Sequence, residues 1–183
     1  MSLNSSVCCF SGYRPEKMPA DMPEGSPAFC DMQQRLRRAV RRKADSGCRH
    51  FLSGMSRGFD LWAAEAVLEL AREGCPIDLW AAIAFPGMQK YWEPEWSRRY
   101  DAVLDQAARV FALYDRYQPD CYTTRDRFLV EQSSACICFF DGTPGGTAYT
   151  VGLARRRGLE IVNLADPQLS LFENETIMRG NVP

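Results

Sequence analysis

The chain has 183 residues, 46% hydrophobic and 25% charged, and its 22 Lys and Arg against 23 Asp and Glu leave a net charge of −1. Such a chain is long enough for a single domain with a sizeable core, and its near-neutral balance gives no overall pull towards nucleic acid or an anionic membrane, so either contact would need a local patch. Eight cysteines without a C-x-x-C pair and a lone histidine, His50, argue against a zinc site or a disulfide framework and for free thiols in a reducing compartment.

Val7-Cys8-Cys9-Phe10 is a short apolar run that reads as a buried first strand, stopped at Ser11-Gly12. Tyr13-Arg14-Pro15-Glu16-Lys17 follows, opening a Pro-rich loop over 15–27. A loop that long inside a domain is either functional or a plain surface excursion. Gly12 and Arg14 favour function, because a Gly turn at a strand end beside a guanidinium suits phosphate. From Asp31 to Ala44 the spacing of Met32, Leu36, Ala39, Val40 and Ala44 predicts an amphipathic helix. Its other face carries Arg35, Arg37, Arg38, Arg41, Arg42 and Lys43. This basic run could touch nucleic acid, but no aromatic residues interleave it, and a solvated face is the preferred reading.

His50-Phe51-Leu52 reads as the second strand, with His50 at its entrance, away from the Gly-containing loop Ser53-Gly54-Met55-Ser56-Arg57-Gly58 at its exit. The segment from Asp60 to Glu73 is strongly helical, with a wide apolar band through Ala63, Ala64, Val67, Leu68 and Leu70. Glu65 falls on the polar side. Asp60, in the first turn, can cap backbone N–H groups or accept from a ribose hydroxyl. A third strand is expected over residues 77–85 and a fourth over 109–114, separated by a helix headed by Pro94, whose Trp96 and Tyr100 read as core anchors. A helix from Thr124 to Ser133 carries Arg125, Asp126 and Arg127 at its start. The fifth strand, residues 136–140, runs into Asp141-Gly142-Thr143-Pro144-Gly145-Gly146-Thr147, which opens another helix, and residues 160–164 are the sixth strand.

Strands alternating with helices predict repeated βαβ units: an α/β fold, Rossmann-like, three layers α/β/α around a mostly parallel sheet. All three Gly-containing loops follow strands, so they converge on the edge where such sheets bind ligands. One domain spans 1–183, with its core at about 7–164 and a tail at 165–183. No apolar run reaches the ~20 residues of a membrane span, and the first residues lack a secretory pattern; the expectation is a cytoplasmic protein. G-x-G-x-x-G, the P-loop motif, G-x-S-x-G and H-E-x-x-H are all missing, which tells against the usual routes of hydride transfer, ATP hydrolysis, serine hydrolysis and zinc proteolysis.

The three loop motifs, in this order and spacing, resemble the YpsA-like family of the SLOG superfamily, which also contains DprA and the LOG phosphoribohydrolases. The resemblance implies a pocket for a nucleotide or nucleotide-derived ligand such as ADP-ribose or NAD, with no other cofactor required. By position it implies ligand contacts from Gly12 and Arg14, from Gly54, Ser56, Gly58, Asp60 and Glu65, and from Asp141, Gly142, Gly145, Gly146 and Thr147. LOG enzymes carry P-G-G-x-G-T-x-x-E; counted from Pro144-Gly145-Gly146, Gly152 stands where that Glu would fall. The favoured expectation is therefore a sensor or carrier that binds without LOG-type catalysis. The alternative is an enzyme cleaving or transferring an N-glycosidic bond with Asp60 or Glu65 as its carboxylate. DprA-like nucleic-acid binding ranks third. A homo-oligomer is compatible with all three.

Overall fold

In the computed structural model, which describes residues 6–166, the apolar runs form six parallel strands. They are β1 (Val7–Ser11), β2 (His50–Ser53), β3 (Asp78–Ile83), β4 (Arg109–Ala112), β5 (Ala135–Cys138) and β6 (Glu160–Asn163). The helices between them are α1 (Pro27–Asp45), α2 (Phe59–Arg72), α3 (Pro94–Leu104), α4 (Cys121–Glu131) and α5 (Gly146–Arg156). The expected α/β/α class is correct. Most of the tail expected at 165–183 lies outside the described residues.

Alternation along each strand sends successive side chains to opposite faces. Cys8, Phe10, Phe51 and Ile137 pack with Leu36 of α1 and Val67 of α2. Val7, Cys9, Leu52 and Cys136 pack with Leu129 of α4 and Val151 of α5. Helices therefore cover both faces, which is why the strands read as unbroken apolar runs rather than alternating ones. Phe10 and Phe51 stack at 5.9 Å within the first layer.

The strand order is β4-β3-β2-β1-β5-β6. The chain builds outwards from β1 to β4, then α4 returns it across the opposite face to β5 on the other side of β1. Parallel crossovers are right-handed, so reversing direction puts α4 and α5 on the face opposite α1 to α3. The reversal point lies between β1 and β5, where Cys9 pairs with Cys136 and Ser11 with Cys138.

Two boundaries shift for visible reasons. The first helix begins at Pro27 rather than Asp31, because Ser26 caps it by accepting from the Phe29 N–H at 3.1 Å. The fourth begins at Cys121, ahead of Thr124, so Tyr122 lies in its first turn. The basic face of α1 is also no solvated stripe. Arg37 lies 2.6 Å from both Glu69 and Glu73 of α2, and Arg41 lies 3.2 Å from Glu73. Lys43 is buried against Glu160 at 2.5 Å. The face is largely a charge-paired seam.

Candidate ligand-binding site

A cavity of about 310 Å³ opens at the reversal point, walled by the segments that follow β1, β2 and β5 and by α4. Its walls are interlocked. A Cβ at Gly12 would lie 2.4 Å from the Phe59 ring, and one at Gly58, whose φ is +85°, would lie 2.5 Å from the Tyr13 carbonyl oxygen. The Phe59 N–H donates to that carbonyl at 3.0 Å. Gly12 and Gly58 are thus glycines because the first loop lies directly on the first turn of α2. The third loop is tied to the first in turn. Tyr13 donates its hydroxyl to Asp141, and Thr147 donates to the Gly12 carbonyl at 2.9 Å.

One end of the cavity is cationic. Gly145 stands at φ +150°, ψ −162°, a region essentially reserved for glycine, and Gly146 then opens α5 with no side chain capping its first amides. Such amides attract anions. A Cβ at Gly146 would meet nothing within 4 Å, so the space over it is open. Lys17 reaches this point: its Nζ would lie 3.2 Å from a Cβ on Gly145. Lys17 belongs to a short 3-10 turn, Pro15–Lys17, pinned because Arg57 bridges Glu16 at 3.2 Å and Glu93 at 2.7 Å. Arg14 also lines the cavity, where its charge acts on Asp60 and Tyr122. The Pro-rich loop therefore begins by supplying part of the site.

The floor is built around Arg125, only 6% exposed. Its Nε and Nη2 donate to Asp126 at 3.1 and 2.8 Å, while Nη1 donates to the Gly54 carbonyl and the Ser56 hydroxyl, both at 2.9 Å. Asp60 is also 6% exposed and accepts from the Ser56 N–H at 3.4 Å. Burial pushes its carboxyl up to about 7, with Arg125 pulling against the shift and Asp126 adding to it. Gly54 has no room for a side chain, since its Cβ would come within 2.9 Å of Asp60.

Of the residues implied by position, Gly12, Arg14, Ser56, Asp60, Gly145, Gly146 and Thr147 line the cavity. Gly54 and Gly58 lie one layer behind, shaping it through packing. Asp141 and Gly142 are not in the lining; Asp141 serves as the anchor for Tyr13 and the Thr143 N–H. Glu65 is corrected. Five residues past Asp60 it points about 140° around the helix, where Arg99 holds it at 2.8 and 2.7 Å while also binding Glu24. Gly152 likewise lies outside the lining, and Thr150 of α5 is inside it. Matched on Gly146-Thr147 instead of on Pro-Gly-Gly, Thr150 holds the position of the LOG acid. The acid is absent on either match. Lys17, Tyr122, Arg125 and Asp126 were not anticipated as site residues. The cluster Arg125-Asp126 at a helix start was the available signal, but nothing in the sequence says which strand ends it faces.

Comparison with known proteins decides the family. The model of the YspA SLOG family, YpsA, matches residues 8–159. The chain belongs to that family. Among its relatives, a UPF0398 protein of Bacillus thuringiensis (strain Al Hakam) is 27% identical over 160 residues, covering 86% of each chain. Another, from Bacillus cereus (strain G9842), is 26% identical over the same length. The fold is similar to DNA processing protein A of Helicobacter pylori, with a TM-score of 0.59 at 15% identity over 86% of this chain. It is equally similar to DprA of Streptococcus pneumoniae, with a TM-score of 0.59 at 13% identity over 92% of this chain. This YpsA chain spans 64% and 56% of those two proteins. At such identities the likeness establishes the shared Rossmann-like fold. Among the described residues no helix is long and apolar enough to cross a membrane, and no cluster of His, Cys, Asp and Glu could hold a metal ion.

Proposed function

We propose that this chain binds a nucleotide or nucleotide-derived ligand of the ADP-ribose or NAD type, acting as a sensor or carrier. The observation that carries the reading is that Lys17 stands beside Gly145 at the uncapped start of α5, with Arg14 on the wall of the same cavity. Three sources of positive potential around an open space suit a phosphate group. The cavity, about 310 Å³, is at the lower end of the range used for small ligands. Calorimetric titration with ADP-ribose, NAD and AMP tests the reading. Saturable binding weakened in Lys17→Ala supports it, and no heat at millimolar ligand overturns it.

A second reading comes from the Helicobacter pylori neighbour, whose structure is described for its single-stranded DNA binding mode. On that reading a phosphodiester occupies the same cationic end. The α1 face is the weaker candidate, because Arg37, Arg41 and Lys43 already hold acidic partners. Tighter binding of a short single strand than of any mononucleotide, with a steep salt dependence, selects this reading.

Binding without turnover is the expected behaviour, since neither Gly152 nor Thr150, the two positions matched to the LOG acid, carries a carboxylate. Release of free base from AMP or NAD that disappears in Asp60→Asn would instead make the site a glycosidase, with Asp60 as its acid.

A further inference from the structure

We infer that the Tyr122 end of the cavity is a nucleobase subsite, an inference that rests on the nucleotide reading above. Lys17 stands by Gly145, while Asp60 and Asp126 line the same cavity with Arg14, Arg125 and Tyr122. The oxygens of these two carboxyl groups suit hydroxyl donors, as a ribose would present. Next to them stands an aromatic group that the phosphate reading does not use. Tyr122, half-buried in the first turn of α4, lines the cavity. Its ring lies 6.3 Å from that of Phe85, which in turn lies 5.8 Å from that of Tyr117.

These rings come from separate parts of the chain: Phe85 just after β3, Tyr117 in the connection after β4, and Tyr122 in α4. Tyr117 is left 60% exposed, although a large ring gains by burial. The guanidinium carbon of Arg125 sits 5.5 Å from the Tyr122 ring centre. Because Asp126, Gly54 and Ser56 fix that guanidinium, it can steady the ring. An aromatic ring beside hydroxyl acceptors, in the same cavity as Lys17 and the start of α5, offers partners for base, ribose and phosphate. Stacking of this kind recognises a π face and tolerates different bases.

The test compares adenosine, AMP and ribose 5-phosphate by calorimetry on the wild type, Tyr122→Leu and Tyr122→Phe, each checked by thermal melting. Tyr122→Leu should bind adenosine and AMP about five- to a hundred-fold more weakly. Its affinity for ribose 5-phosphate should be unchanged, and Tyr122→Phe should match the wild type throughout. Equal losses for AMP and ribose 5-phosphate, or no loss for either, overturn the subsite. If wild type binds adenosine but not ribose 5-phosphate, and Tyr122→Leu loses the adenosine, the base subsite stands and the phosphate assignment fails. If none of the three probes binds, both fail.

Discussion

The Tyr13 hydroxyl donates to the Asp141 carboxylate and accepts from the Asp141 N–H at 3.2 Å, joining the loops after β1 and β5. The Tyr13 bond, with help from Thr143, lowers the Asp141 carboxyl to about 2. A carboxylate held below its unfolded value of about 3.9 contributes stability that is complete above that pH. The contribution is lost as pH falls through the folded value of about 2. Melting temperature followed from about pH 5 down to about pH 2 should therefore fall more steeply in wild type than in Asp141→Asn. Parallel curves would mean that the bond adds nothing to folding.

Gly12 and Gly146 should respond in opposite ways to alanine. At Gly12 the new methyl would meet the Phe59 ring at 2.4 Å, whereas at Gly146 it would meet no protein atom within 4 Å. Overpacking makes Gly12→Ala cost about 1–3 kcal/mol. Gly146→Ala should keep or gain up to about 1 kcal/mol, since Ala fits a helix better. Ligand affinity should drop in Gly146→Ala even so, because the methyl would intrude on the space assigned to the phosphate in the proposed reading. Denaturant melts and calorimetry on the two variants separate these effects.

Asp60 gives the reverse pH dependence of Asp141. Its folded value of about 7 lies above the unfolded carboxyl value, so the neutral form is favoured in the fold. The favourable contribution is complete below about pH 4 and is lost as pH rises through about 7. Asp60→Asn should therefore gain on wild type between about pH 4 and about pH 8, by an amount on the order of a few kcal/mol. Chemical denaturation at the two pH values measures this. A gap that is constant with pH would place the ionised carboxylate in the fold at no cost.

Glu65→Gln should leave ligand affinity untouched and cost about 1 kcal/mol of stability or less, as for a partly exposed ion pair. Its partner Arg99 would retain Glu24 at 2.8 Å. Loss of ligand binding in this variant would return Glu65 to the site.

Much of the fold was legible because both faces of the sheet are covered. Runs such as Val7-Cys8-Cys9-Phe10 and Ala135-Cys136-Ile137-Cys138 cannot be mistaken for solvated loops, and the Gly-containing segments mark their exits. Strand order was not legible, since no local pattern says that α4 carries the chain back across β1. That is why Tyr122 and Arg125, which sit at a helix start like many surface residues, were missed as site residues. Glu65 was carried into the site by motif position, and only the contact with Arg99 shows which way it faces. The same limit applies to α1. Spacing predicts its basic side, but the seam with Glu69 and Glu73 depends on two helices lying together.

The central claim is that a phosphate-bearing ligand sits over the start of α5. Amide NMR during titration with ADP-ribose tests it most directly. The account predicts saturating shifts centred on Gly145, Gly146 and Thr147, with weaker affinity in Lys17→Ala. Shifts confined to the α1 face at residues 35–43, or no shifts at millimolar ligand, would contradict it.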